Sequence, residues 1–203
     1  MKPQDFATKT GVSRETLEKL VVFQKLLEKW QAKINLVSAT TLDDVWGRHF
    51  LDSWQVIGPL GDAKSLADLG AGAGFPGLVV ALCAPDKTVH LVESDARKCA
   101  FQIEIVRETG AANVKIHNAR AEKLAGALTV DAITSRALAP LDTLLDLAVP
   151  LLAPGGLCTF LKGATYRDEL TAARTRWQMR VDIAPSLTEP DAACLTLRDI
   201  ARK

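Results

Sequence analysis

The chain lacks most of what marks a membrane, secreted or metal protein. No apolar run approaches the roughly 18 residues a membrane span needs. The opening Met1-Lys2-Pro3-Gln4-Asp5-Phe6 is polar where a secretory leader would be apolar. A cytoplasmic location is the expectation. The four cysteines, Cys83, Cys99, Cys158 and Cys194, are not spaced as zinc ligands, and none adjoins a histidine. Three lie in apolar patterns and read as small buried hydrophobes. His49, His90 and His117 are equally scattered, so no metal site is expected. Internal repeats and low-complexity segments are missing. So is an excess of either charge: 25 Lys and Arg against 24 Asp and Glu leave a net charge of +1. A strongly basic domain would point to nucleic acid by itself. This chain, if it binds RNA, must gather its basic surface by folding.

What is present is a 203-residue chain that is 48% hydrophobic. That length suits one sizeable core and one domain with a short accessory segment. A monomer is the expectation, though nothing in the sequence fixes the oligomeric state. Residues 13–34 follow helical spacing through Leu20, Phe23, Leu27, Trp30 and Ile34, with Ser13 as cap and Glu15 in the first turn. A second helix is predicted over 42–57. From Ser65 the pattern changes to short apolar runs alternating with helical stretches, which is the signature of βαβ units. Strands are predicted at 65–69, 88–92, 114–117, 132–135 and 157–161, and helices near 76–83, 95–109, 140–152 and 166–178. Two further strands, 180–183 and 193–198, have no helix between them and should pair antiparallel. The predicted class is therefore α/β and Rossmann-like. A mainly parallel sheet over 61–203 ends in an antiparallel hairpin and carries an N-terminal helical extension over 1–60.

The first strand runs into Asp68-Leu69-Gly70-Ala71-Gly72-Ala73-Gly74-Phe75-Pro76-Gly77. Glycines let the backbone turn tightly and lie against a ligand, and the crevice falls at the carboxyl ends of the strands. Two cofactors use this device. Gly72-x-Gly74-x-x-Gly77 formally matches the dinucleotide fingerprint. Glu93, about 20 residues on, can accept ribose hydroxyls from NAD or from S-adenosylmethionine. Three features favour the methyl donor. Asp68 precedes the first glycine, and an acid beside the loop suits a sulfonium amino acid better than a pyrophosphate. Asn118-Ala119-Arg120-Ala121-Glu122 follows the third strand, where adenine is usually flanked. The Pro154-Gly155-Gly156 turn precedes the fifth strand and the terminal hairpin. Against NAD, the single tyrosine, Tyr166, belongs to no Tyr-x-x-x-Lys pair.

Five segments carry a narrower likeness: Asn35-Leu36-Val37-Ser38, Arg48-His49-Phe50-Leu51-Asp52-Ser53, Gly72 through Gly77, Ser135-Arg136-Ala137 and Leu161-Lys162-Gly163. In order and spacing, over roughly residues 15–165, the chain resembles the RsmG (GidB) enzymes. These methylate N7 of a guanine in bacterial 16S ribosomal RNA. The resemblance implies S-adenosylmethionine as cofactor and 16S RNA, within the small subunit, as partner. It implies cofactor contacts from Gly70, Phe75, Ala121, Glu122 and Arg136. Asp68, Gly72, Gly74 and Glu93 join them from the loop argument. The terminal hairpin departs from the family, with Pro190-Asp191-Ala192-Ala193-Cys194 in place of a charged run.

His49, Asp52, Arg136 and Lys162 are the candidates for the reacting centre. His49 and Asp52, three apart on a predicted helix, share a face; they border the pocket or form a structural pair. Arg136 ends a central strand, facing the crevice or holding an ion pair. Lys162 ends the fifth strand, touching a phosphate or base or only solvent. Arg167, Arg174, Arg176 and Arg180 face RNA phosphates or water. Guanine N7 carries a lone pair and no proton, so direct displacement needs no base. In agreement, no Asn/Asp-Pro-Pro-Tyr motif follows the fourth strand and no cysteine sits in a Pro-Cys setting. Methylation of a small molecule or protein, and a silent cofactor-binding module, are the rival readings.

Overall fold

The computed structural model describes residues 1–203. Seven strands form one sheet in the order β3-β2-β1-β4-β5-β7-β6. They are β1 Ser65–Leu69, β2 Thr88–Glu93, β3 Val114–Asn118, β4 Val130–Arg136, β5 Leu152–Lys162, β6 Trp177–Pro185 and β7 Ala193–Arg202. The first five pair parallel, and β7 runs antiparallel to both β5 and β6. The order reverses between β1 and β4, so their carboxyl ends open a crevice there.

Helices cover both faces. On one lie α1 (Pro3–Thr10), α2 (Arg14–Gln31), α5 (Gly77–Cys83) and α6 (Ala96–Thr109), joined to the sheet by a single apolar cluster. On the other, α7 (Leu141–Ala148) and α8 (Tyr166–Ala173) pack on Ile133, Phe160 and Leu195. Residues 1–60 thus share a core with the sheet. Phe6, Phe23 and Phe50, all fully buried, meet Trp46 and Phe75 in an aromatic cluster. Such aromatic pairs stabilise by about 0.5–1.5 kcal/mol each beyond area burial.

Two predicted helices change, one helix was not predicted, and β5 begins at Leu152, so the Pro154-Gly155-Gly156 turn expected before it lies within the strand. Helix α1 was not anticipated, although Pro3 at its first position and Gly11 at its left-handed C-terminus are ordinary helix punctuation. Its apolar stripe reduces to Phe6. The continuous helix predicted over 42–57 is instead a 3₁₀ turn Ala39–Asp44, a π turn Trp46–Leu51, then the short α3 (Asp52–Trp54) and α4 (Ile57–Leu60). The Asp44 side chain accepts from Gly47 N–H, one of the first-turn amides that lack an intrahelical partner, at 3.1 Å, and the Arg48 carbonyl accepts from Arg136 at 3.2 Å. π turns recur at functional sites. The helix predicted over 166–178 stops at Ala173, because Trp177 enters the core from strand β6.

Candidate active site

Two clefts open at the carboxyl ends of the strands and share one wall, Arg136-Ala137-Leu138. The smaller, about 320 Å³, is lined by Gly70, Gly72, Glu93, Ala121 and Glu122. Gly70 and Gly72 have φ of +65° and +56°, a region that costs other residues strain. A Cβ at Gly70 would lie 2.6 Å from Leu138 Cδ1. Glu93 accepts from Gly72 N–H at 2.9 Å and from Asp95 N–H at 2.8 Å. Its carboxylate, 8% exposed, keeps acceptor capacity toward the cleft. Gln102 supports the loop from behind, donating to the Gly72 carbonyl at 2.8 Å.

Asp68 has a different position from the one its place in the motif suggested. It is fully buried and lines neither cleft. It accepts from Gly77 N–H at 2.8 Å and from the Thr134 hydroxyl at 3.3 Å, so it holds the loop from beneath. Burial pushes its carboxyl up to about 7 despite those donors and the nearby Arg136. Gly74 also points inward, where a Cβ would meet Leu78 at 2.3 Å. The Phe75 ring is 3% exposed and stacks on Phe23 and His49 at 5.0 and 4.9 Å. The Arg136 guanidinium lies over the same ring at 5.1 Å.

The larger cleft, about 560 Å³, brings together His49, Asp52, Arg136 and Lys162 with Thr41, Arg48, Thr188 and Glu189. Arg136 is its hub. It donates to His49 Nδ1 at 3.0 Å, to the Arg48 carbonyl at 3.2 Å and to Asp52 Oδ2 at 3.4 Å. Burial and the two neighbouring guanidiniums, Arg136 then Arg48, drive His49 down to about 3. Asp52 also accepts from Gln55 and Thr188 at 2.8 and 2.9 Å, tying the helical cover to the β6–β7 loop. Lys162, at 8% exposure, is not a solvated lysine: it donates to the Ala139 carbonyl at 2.8 Å and pairs with Glu169 at 2.5 Å. These bonds fix the segment after β4, where Ala137 has φ +54°. Of the basic run, Arg176 pairs with Asp142 and Asp146, and Arg180 with Asp199.

Sequence reasoning did not single out Thr41, Arg48, Leu138, Thr188 or Glu189. Arg48 stood within a quoted motif; Glu189, 141 residues away, pairs with it and had no local signal. No group of three or more His, Cys, Asp or Glu side chains is placed to hold a metal ion. No helix is long and apolar enough to cross a membrane.

A seven-stranded sheet in this order, with a glycine loop after β1 and an acid ending β2, defines a class I methyltransferase. Its fold matches a methyltransferase from Geobacter sulfurreducens at a TM-score of 0.63 and 15% identity, covering 98% of each chain. Fibrillarin from Aeropyrum pernix, solved with S-adenosyl-L-methionine, matches at 0.59 and 17% identity, covering 75% of this chain and 76% of that one. The family model described as GidB, rRNA small subunit methyltransferase G, matches residues 16–193. Proteins named Ribosomal RNA small subunit methyltransferase G are 53% identical in Paramagnetospirillum magneticum, covering 100% of this chain and 98% of the relative. In Rhodospirillum centenum the figures are 52%, 97% and 90%. The chain belongs to the GidB family of methyltransferases. Enzymes of this class take the methyl group from S-adenosylmethionine. The smaller cleft fits it: two glycines without side chains and a carboxylate with free acceptor sites face the space.

Proposed function

We propose that the protein, acting as a monomer in the cytoplasm, methylates N7 of a guanine in 16S ribosomal RNA within the small subunit. S-adenosylmethionine, when bound, supplies an electrophilic sulfonium methyl group. On this reading Gly70, Gly72, Ala121 and Glu122 border it, and Glu93 accepts its ribose hydroxyls. The target base would be held in the larger cleft, which adjoins the smaller one at Arg136, Ala137 and Leu138. Guanine N7 carries a lone pair and no proton, so accepting that methyl group would ask the cleft's own residues only to hold and align the base, with no proton to remove.

The observation that carries this reading is the state of His49. Arginine has no acceptor, so His49 Nδ1 must accept from Arg136 and its proton sits on Nε2, 2.8 Å from the Thr41 hydroxyl. The one imidazole in the cleft has its lone pair occupied. A site that must remove a proton from an amine or hydroxyl needs a free base; a site for N7 needs alignment and a fixed field. Arg136, Asp52 and Lys162 are here positioning groups. Labelled methyl transfer to unmethylated small subunits, followed by mapping of the base, tests the proposal. The expected product is one 7-methylguanine. Label on an exocyclic amine or ribose, or none on RNA, overturns it.

A further inference from the structure

Three cations line the larger cleft, each with a carboxylate partner, and the three pairs are not equivalent. Lys162 and Glu169 are 8% and 19% exposed, and Arg136 and Asp52 are 20% and 16%. Separating either pair would leave a charge in a poorly solvated place, which is costly. Arg48 and Glu189 sit at the rim, 40% and 44% exposed. An exposed pair contributes little, because water replaces each partner well. Arg48 is therefore the one cation of this cleft that can change partner at low cost. A phosphate is a better partner than a carboxylate it must share with water, since the guanidinium fork matches two phosphate oxygens.

Glu189 does not reach Arg48 by chance of a loose side chain. Its loop is held by two further bonds, Thr188 Oγ1 to Asp52 at 2.9 Å and Leu187 N–H to Gln55 at 3.0 Å. The carboxylate is thereby presented at the mouth of the cleft, against the cation nearest to solvent. A phosphodiester flanking a base inserted into that cleft would pass over the same mouth.

We propose that Arg48 contacts an RNA phosphate beside the target base, and that Glu189 is an internal anion holding that place in the free protein. The inference rests on the RNA reading above. The two roles give opposite signs on mutation. Arg48→Ala should weaken binding of unmethylated small subunits by about five- to tenfold and make the log affinity–log salt slope shallower by about 1. Glu189→Gln removes the competing charge, and subunit binding should tighten by about two- to fivefold. In the double variant that gain should vanish. Arg48→Lys should keep the parent's salt slope. Binding is measured with the full chain between about 50 and 200 mM salt, with melting temperatures confirming the fold of each variant.

If the pair merely fastens the loop, Arg48→Ala and Glu189→Gln will both weaken binding, and the proposal falls. It also falls if the parent binds subunits while Arg48→Ala keeps its affinity and slope; the RNA reading then survives. If the parent binds neither subunits nor their RNA, the RNA reading fails and this inference with it.

Discussion

The two clefts meet at Arg136 yet are built by different means. The smaller is made largely of short segments that follow strands directly, with Glu93 and Glu122 as its carboxylates. Apart from the shared wall after β4, its lining comes mostly from the ends of β1, β2 and β3 and the residues just beyond them. The larger is made of side-chain pairs drawn from the helical cover, the end of β4, the end of β5 and the β6–β7 loop. Backbone geometry tolerates many sequences provided a few glycines stay. Paired side chains are specific, and each depends on a partner far away in the chain. One design suits a cofactor shared by a whole class of enzymes; the other suits recognition of a particular substrate.

The residue common to both should show the largest effect. Arg136→Ala is expected to lower the single-turnover rate by about a hundredfold, because it loosens the alignment of base and methyl group. It should cost about 2–3 kcal/mol of stability, less than a fully buried pair, since Asp52 keeps its bonds to Gln55 and Thr188. Arg136→Lys should not rescue the rate, because one ammonium cannot reach His49, Asp52 and the Arg48 carbonyl together. Rate per folded molecule, cofactor affinity and melting temperature separate the effects. A sharp fall in melting temperature with a normal rate would reduce Arg136 to a structural pair.

Glu93→Ala should confine its damage to the smaller cleft. Loss of a charged acceptor costs about 1.5–3 kcal/mol, or roughly ten- to a hundredfold in S-adenosylmethionine affinity. Two amides, those of Gly72 and Asp95, also lose their acceptor, so a modest loss of stability accompanies it. Calorimetric titration measures the first and thermal melting the second. Subunit binding without cofactor should be unchanged; if it falls in step, the clefts are not separable.

Asp68 allows a test of the floor beneath the glycine loop. Its folded-state pKa, about 7, lies above the ordinary carboxylate value. Folded protein therefore binds a proton there that unfolded chain has released, and stability from this group falls as pH rises from about 4 to about 7. One proton corresponds to about 1.4 kcal/mol per pH unit, so about 2 kcal/mol between roughly pH 5 and 6.5. His49 and His90, depressed to about 3 and about 4, act in the opposite sense, losing stability as pH falls below about 6.5. The measurement is thus the difference between the parent and Asp68→Asn, by denaturant unfolding at each pH. Parallel curves would mean that Asp68 titrates as an ordinary carboxylate.

The same contrast explains what could be read from the chain. The sheet was legible because its strands are short apolar runs separated by helices, and the smaller cleft because its lining follows each strand directly. Gly70, Gly72 and Glu93 stand where the motif put them. Asp68 and Gly74 belong to the same motif but serve packing, a distinction that needs the direction of each side chain. The larger cleft was legible only through the family likeness, which picked out His49, Asp52 and Arg136, joined by hydrogen bonds, and Lys162, but not the other residues that hold them. Glu169, Thr188 and Glu189 carry no local mark. The π turn escaped because the apolar spacing of residues 42–57 suits an ordinary helix, and the bond from Arg136 that accompanies the distortion comes from 88 residues away.

The smallest effect is an absence of slope, and it tests the state of His49. His49 donates from Nε2 to Thr41, whose hydroxyl donates onward to the Ser38 carbonyl at 2.7 Å. Burial holds His49 down to about 3 instead of near 6.5, and the Arg136 guanidinium, against which a protonated Nδ1 would set an N–H, pushes the same way. Between about pH 5.5 and 7.5 its charge is constant, whereas an unperturbed histidine base would impose a rise in rate there. The parent is expected to show a nearly flat single-turnover profile at saturating cofactor and RNA, with RNA binding checked at each pH. His49→Gln can still accept from Arg136 through its amide oxygen but cannot stack on Phe75 in the same way. It should turn over about tenfold more slowly, through misalignment, with the profile still flat. A tenfold rise per pH unit in the parent, abolished in His49→Gln, would make His49 a base. The larger cleft would then be a proton-accepting site, and N7 would no longer be the atom it is built for.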